Sequence, residues 1–190
     1  LMTEKPLIQG VEIPLFIGGF KMQNLSTKNS ILFFDKGEKI FSKSIDKHRL
    51  VLLGEWMPHW LGYFSKGLSA IGGIDPGSAS RYFTVPDHKL AVAICYEISD
   101  GISIRKAINK GTKWILTISN LDPYPLVLQK QFTYISQLRT IETAKNLISS
   151  ANTGPSLNIN SNGKITKLME PYKEGVRLTN LNLNDQNTPY

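Results

Sequence analysis

Leu90-Ala91-Val92-Ala93-Ile94-Cys95-Tyr96-Glu97-Ile98-Ser99-Asp100 is the stretch on which the reading of this chain turns. Residues 90–96 form an apolar run of strand length that takes in the one cysteine of the 190 residues. Upstream, residues 82–85 and the turn residues Pro86-Asp87-His88-Lys89 complete a hairpin with that run. Downstream, Asp100 is suited to cap a helix running to about Lys110, with Gly111 as its stop signal. Ile104, Ala107 and Ile108 share one face of that helix. Cys95 is thus expected at the end of an apolar strand, shortly before a helix.

The pattern continues on both sides. Residues 114–119 read as the next strand, followed by a long helix from about Leu126 to Lys145. Leu128, Phe132, Ile135 and Leu138 repeat there at helical spacing. Residues 147–151, 156–159 and 165–168 read as closing strands, with Asn162-Gly163 as a tight turn between the last two. Towards the front, residues 13–20 read as a buried strand, and residues 30–35 and 39–43 as a hairpin around Lys36-Gly37. Gly18-Gly19 is followed by no phosphate-binding pattern, so close packing is its expected role. Hairpins alternating with two amphipathic helices indicate an α/β sheet protein in stacked layers rather than a barrel. Residues 1–175 are expected to form the domain. The Asn-rich tail of residues 176–190 is expected to fray.

Composition narrows the function classes. With 41% hydrophobic and 19% charged residues the chain is ordinary globular protein. Its apolar runs fall well short of the roughly 20 residues that cross a bilayer. No signal-peptide pattern opens it. One cysteine excludes an internal disulfide and a multi-cysteine zinc site, and no cofactor or metal is expected. The charge of +7 includes two basic runs, Lys36 to Arg49 and Arg105 to Lys113. Neither is interleaved with stacking aromatics, which argues against nucleic acid. A solvated surface is the plain reading of these runs, and an anionic lipid surface the alternative.

A lone cysteine is usually a small buried hydrophobe. As a nucleophile for acyl transfer it needs its thiolate favoured, a proton acceptor and a cation for the developing oxyanion. His48, His59 and His88 offer no oriented partner of the papain type: His88 falls in a turn and His59 in a Trp-rich loop. A lysine with carboxylates is the other route.

Asp46-Lys47-His48-Arg49-Leu50-Val51-Leu52-Leu53-Gly54-Glu55-Trp56-Met57-Pro58 provides both. Together with Ile94-Cys95-Tyr96-Glu97 it resembles the nitrilase superfamily and, within it, the apolipoprotein N-acyltransferases. Further pieces follow in the same order: residues 14–20, Ile118-Ser119-Asn120, the Arg139-Thr140-Ile141-Glu142 helix segment, and Ala151-Asn152-Thr153-Gly154 with Asn162-Gly163-Lys164-Ile165. The likeness spans roughly residues 6–170 and rests on the ordered set rather than on any one tetrapeptide.

The resemblance implies a nitrilase-like αββα sandwich. It implies Cys95 as the nucleophile that takes an acyl group as a thioester, and Lys47 as the oxyanion-stabilising member of a Glu-Lys-Cys triad. The Tyr96 N–H would be a second oxyanion donor. Glu55 would be a second essential glutamate near Lys47, and Tyr96 and Glu97 would shape the pocket. It also implies a phospholipid acyl donor, an apolipoprotein acceptor, and a bacterial inner membrane setting with the catalytic domain facing the periplasm. Taken alone, Lys47 reads as a surface lysine and Glu97 as a partner of Arg105 or Lys106.

Two departures from the pattern matter. The triad's glutamate belongs on a strand before Gly18-Gly19, where only Glu4 and Glu12 are available and neither follows an apolar strand. The domain is therefore expected to be incomplete at its N-terminus, lacking its first strand and helix and the base, as well as the family's membrane segments. After Asn120, Leu121-Asp122-Pro123-Tyr124-Pro125 replaces the usual Asp-x-Trp-Phe-Gly. Three readings follow: an N-acyltransferase domain, an amidase of the same superfamily, and a catalytically silent remnant.

Overall fold

The computed structural model describes residues 12–23, 26–52, 55 and 73–189. Glu4, Gly54, Trp56, Met57, Pro58 and His59 lie outside them. The chain divides into two compact units, residues 1–79 and 80–190.

The described part of the first unit is an antiparallel sheet in the order β1-β2-β3, formed by Leu15–Gln23, Ser26–Phe34 and Lys43–Asp46. The hairpin around Lys36-Gly37 is present, but its second strand starts where the expected one ended. Ser30 pairs with Asp46 in the register, and polar contacts fix that pairing. Asp46 accepts from Ser30 Oγ at 2.8 Å and faces the ammonium groups of Lys21 at 2.7 Å and Lys28 at 3.4 Å. Burial alone would raise the Asp46 pKa. The Lys21 and Ser30 hydrogen bonds and the two lysine charges outweigh it, holding the carboxyl below its usual 3.8.

A carboxyl depressed on folding stabilises the native state above its unfolded pKa, and that share is lost as pH falls through the folded value. Asp46→Asn is therefore expected to cost about 1 kcal/mol or more at neutral pH. Urea unfolding midpoints should show the two proteins converging as pH is taken below 3.8. A gap that persists in acid would refute this role.

The second unit is a six-stranded sheet in the order β4-β5-β6-β7-β8-β9. Its strands are Tyr82–Thr84, Lys89–Ile94, Thr112–Ser119, Asn146–Ala151, Ser156–Ile159 and Ile165–Met169. β5, β6 and β7 are parallel, and the outer pairs are antiparallel. The helices α1 (Gly101–Ile108) and α2 (Leu126–Thr143) provide the two crossovers between the parallel strands. Asp100 caps α1, accepting from the Ser103 N–H at 3.2 Å, and Gly111 ends the following turn at φ +81°. Ala91, Ala93, Ile115, Leu147, Leu157 and Ile159 pack against Ile104, Ala107 and Ile108 of α1. Val92 and Ile94, on the opposite face of β5, are also buried, as expected of a central parallel strand.

The buried side of α2 differs from the apolar repeat. Gln129, Ser136, Arg139, Thr140 and Thr143 are its buried residues. Phe132 and Ile135 are partly buried against the core, while Leu138 is 46% exposed. The hydroxyls of Ser136, Thr140 and Thr143 donate to carbonyls of their own helix at 2.7–2.8 Å. Small side chains satisfied in this way are buried at little cost.

The tail, read from its composition as a fraying segment, makes hydrogen bonds to the end of α2 and the start of β7. The Asn146 amide donates to the Asn182 carbonyl, and Lys145 Nζ to the Asn184 carbonyl at 2.8 Å. Asn184 Nδ2 donates to the Ala144 carbonyl at 2.7 Å, and Thr188 Oγ1 to the Glu142 carbonyl. A polar tail without a hydrophobic anchor is held here by side chain to backbone bonds.

Candidate active site

Lys47 follows β3 directly and is 1% exposed, so the surface reading fails. A buried ammonium needs matched acceptors, and Glu55 supplies them. Lys47 Nζ lies 2.8 Å from Oε1 and 2.6 Å from Oε2 of Glu55. Glu55 is fixed in turn by Asn29 Nδ2 at 3.1 Å and by the Val51 N–H at 2.9 Å. The backbone of Lys47 is tied at both ends, its N–H to the Asn29 carbonyl and its carbonyl to the Gly77 N–H, both at 2.7 Å. Lys47 and Glu55 thus meet as the motif implied. Asn29 had no motif to signal it.

In the second unit, Cys95 directly follows β5 and opens a 3-10 turn, Cys95–Ser99. Its φ is +52° and it is 7% exposed. A left-handed backbone at a residue with a Cβ costs about 1 kcal/mol or more and persists only where its surroundings impose it. The sharp turn places the thiol at the carboxyl end of a parallel strand, where α/β sheets present their ligand sites.

The loops after β6 and β7 complete this edge. Cys95 Sγ lies 3.9 Å from the Asn120 carbonyl. Asn152 Nδ2 donates to Asn120 Oδ1 at 2.8 Å, and Asn152 Oδ1 accepts from the Leu121 N–H at 3.1 Å. Gly154 meets Leu121 so closely that a Cβ there would fall 2.3 Å from Leu121 Cδ1. Gln129 of α2 donates to the Tyr124 carbonyl at 3.0 Å, holding the Leu121–Pro125 loop, and the Tyr124 ring lies 5.5 Å from that of Phe132.

Glu97 is buried, and its partner is neither Arg105 nor Lys106. Arg81 Nη1 reaches Oε1 at 3.0 Å and Oε2 at 2.9 Å, and Oε2 also accepts from the Ile94 N–H at 2.9 Å. Tyr96 is 45% exposed and stands beside the thiol in the chain. His88 is engaged elsewhere, its Nε2 accepting from the Trp114 indole at 2.9 Å, and His48 Nδ1 lies 2.9 Å from the Gly77 carbonyl. Glu12 is exposed and faces Lys36 at 3.7 Å, an arrangement unlike a buried general base.

Residues 9–187 match the carbon-nitrogen hydrolase family model. The chain belongs to the carbon-nitrogen hydrolase family. It is 51% identical over all 190 residues to an apolipoprotein N-acyltransferase of Prochlorococcus marinus strain SARG, and spans 38% of that protein. It is 47% identical over 95% of its length to the same-named protein of strain MIT 9313, spanning 36% of it. The chain therefore covers under two fifths of these curated relatives.

Solved structures show the same nitrilase-like α/β fold. The amidase from Nesterenkonia matches with a TM-score of 0.62 at 15% identity, over 84% of this chain and 60% of that one. Carbon-nitrogen hydrolase from Helicobacter pylori matches with a TM-score of 0.64 at 15% identity, over 85% and 60% respectively. Among the described residues, no helix is long and apolar enough to cross a membrane.

Proposed function

We propose that this chain supplies the nucleophile-bearing part of an apolipoprotein N-acyltransferase acting in lipoprotein maturation. The observation that carries the chemistry is Cys95, held in a left-handed turn at the carboxyl end of β5. The name of a relative 51% identical across the whole chain points to the apolipoprotein acceptor, and the resemblance to the family points to the phospholipid donor. The Cys95 sulfur attacks the carbonyl carbon of a phospholipid acyl ester. A tetrahedral oxyanion forms and collapses, the C–O ester bond breaks, and the lysophospholipid leaves as the alcohol, carrying the proton that the thiol gave up. The amine at an apolipoprotein's N-terminus then attacks the thioester, forming an amide and returning the thiol. The resemblance to the family assigns Lys47 the role of the oxyanion's fixed cation and the Tyr96 N–H that of a second donor.

Glu55 holds Lys47 through both carboxylate oxygens, so it positions the lysine rather than taking the thiol proton. In this reading the site works at the periplasmic face of a bacterial inner membrane, where both substrates reside.

A pulse and chase tests the proposal on the protein as it occurs in the cell. Acyl-labelled phospholipid is expected to leave its acyl group on the Cys95 peptide, as seen by mass spectrometry. A peptide bearing an N-terminal diacylglyceryl-cysteine is then expected to discharge that adduct and gain an amide. Discharge by water alone, at the same rate with and without the peptide, would favour an amidase and sink the transferase reading.

A further inference from the structure

Arg81 lies outside every motif that led to Cys95. Its backbone carbonyl accepts from the Val92 N–H at 2.9 Å, which joins it to the strand carrying the cysteine. Its side chain is 2% exposed and that of Glu97 4%. Glu97 reaches back past Cys95 to the Ile94 N–H, so residues 94–97 close into a ring around the thiol-bearing residue. Arg81 contacts both oxygens of the carboxylate that closes this ring.

Stability does not explain such a pair. Replacing a buried ion pair with apolar groups of similar volume is often neutral or stabilising, whereas removing one partner leaves a costly bare charge. A bare Glu97 carboxylate would also stand two residues from the thiol, where negative charge opposes thiolate formation.

We propose that Arg81 is a positioning residue for the reaction at Cys95: it fixes and neutralises Glu97, the carboxylate that closes the turn around the thiol. The inference deepens the proposed acyl transfer but has a readout independent of it. Alkylation of the Cys95-bearing peptide by iodoacetamide at neutral pH can be followed by mass spectrometry in the protein as it occurs in the cell.

Arg81→Met is expected to slow alkylation about tenfold, the effect of an unmatched negative charge near a thiol. It is expected to lower kcat similarly while KM for phospholipid moves less than about twofold, as for an interaction that matters only in the transition state. Arg81→Lys keeps the charge and should restore most of both. A merely structural role would loosen the turn and expose the thiol, so alkylation of folded Arg81→Met that is unchanged or faster overturns the proposal.

If Arg81→Met does not fold, Arg81→Lys carries the test. The shorter, more mobile ammonium, displaced from the Nη1 position, should then slow thioester formation about threefold at an unchanged thermal midpoint, and no slowing overturns it. Slowed alkylation of Arg81→Met together with a wild-type protein that takes no acyl group from phospholipid would support the positioning role and defeat the lipid-donor reading.

Discussion

Cys95→Ala is expected to abolish acyl-adduct formation and acyl transfer completely while leaving the protein folded. A methyl group has no lone pair with which to attack a carbonyl carbon. The loss on folding should be small, because Cys95 is a small side chain and alanine bears the same left-handed strain. The informative companion is Cys95→Gly. At φ +52° glycine removes a penalty of about 1 kcal/mol, which offsets its lost packing and its greater unfolded-state freedom. Cys95→Gly is thus expected to be inactive and within about 1 kcal/mol of wild-type stability. Urea unfolding and mass spectrometry of the acyl adduct check the two halves. An adduct surviving in Cys95→Ala would remove Cys95 from the mechanism. A loss of several kcal/mol in Cys95→Gly would show that the backbone there is not strained.

Lys47→Met carries the second largest effect. Losing an oxyanion-stabilising group costs about 100- to 1,000-fold in kcat, and that range is expected here. Stability should fall as well, by about 3 kcal/mol at the lower end for a broken buried pair, since Glu55 keeps some access to solvent. The two losses separate in a double variant. Lys47→Met with Glu55→Gln removes both charges, leaving a neutral amide beside Asn29 and the Val51 N–H. It is expected to regain much of the stability and none of the rate. Recovery of activity in the double variant would assign Lys47 a structural role alone. Lys47→Arg is not expected to rescue, because a planar guanidinium does not fit the compact ammonium position held by the two Glu55 oxygens.

Sequence and structure agree where interactions are short in range. The strand ending at Cys95, the Asp100 cap, the stop at Gly111 and the Asn162-Gly163 turn depend on a few neighbouring residues, and all are visible in their order. The motif around Lys47 likewise placed Glu55 within reach. Disagreement begins where a contact joins distant positions. The apolar repeat of α2 pointed to Leu138, yet Arg139 and Thr140 are buried there and Leu138 is half exposed. Periodicity records which side chains are apolar, and it misses hydroxyls that satisfy themselves on their own helix. The tail's contacts were likewise not legible: amides and carbonyls of its asparagines bind Asn146, Ala144 and Lys145.

By itself the sequence determined the α/β character of this protein, the place of Cys95 at a strand end, and Lys47, Glu55, Tyr96 and Glu97 as the residues to examine. These follow from local patterning and from the order of the motifs. Only the tertiary structure decided the conformation and partners of those residues. It turned Cys95 into the left-handed region, buried Lys47 against Glu55, and gave Glu97 to Arg81 instead of Arg105 or Lys106. A buried charge takes whichever opposite charge the fold brings to it, and a separation of sixteen positions in the chain leaves no periodic trace of that choice.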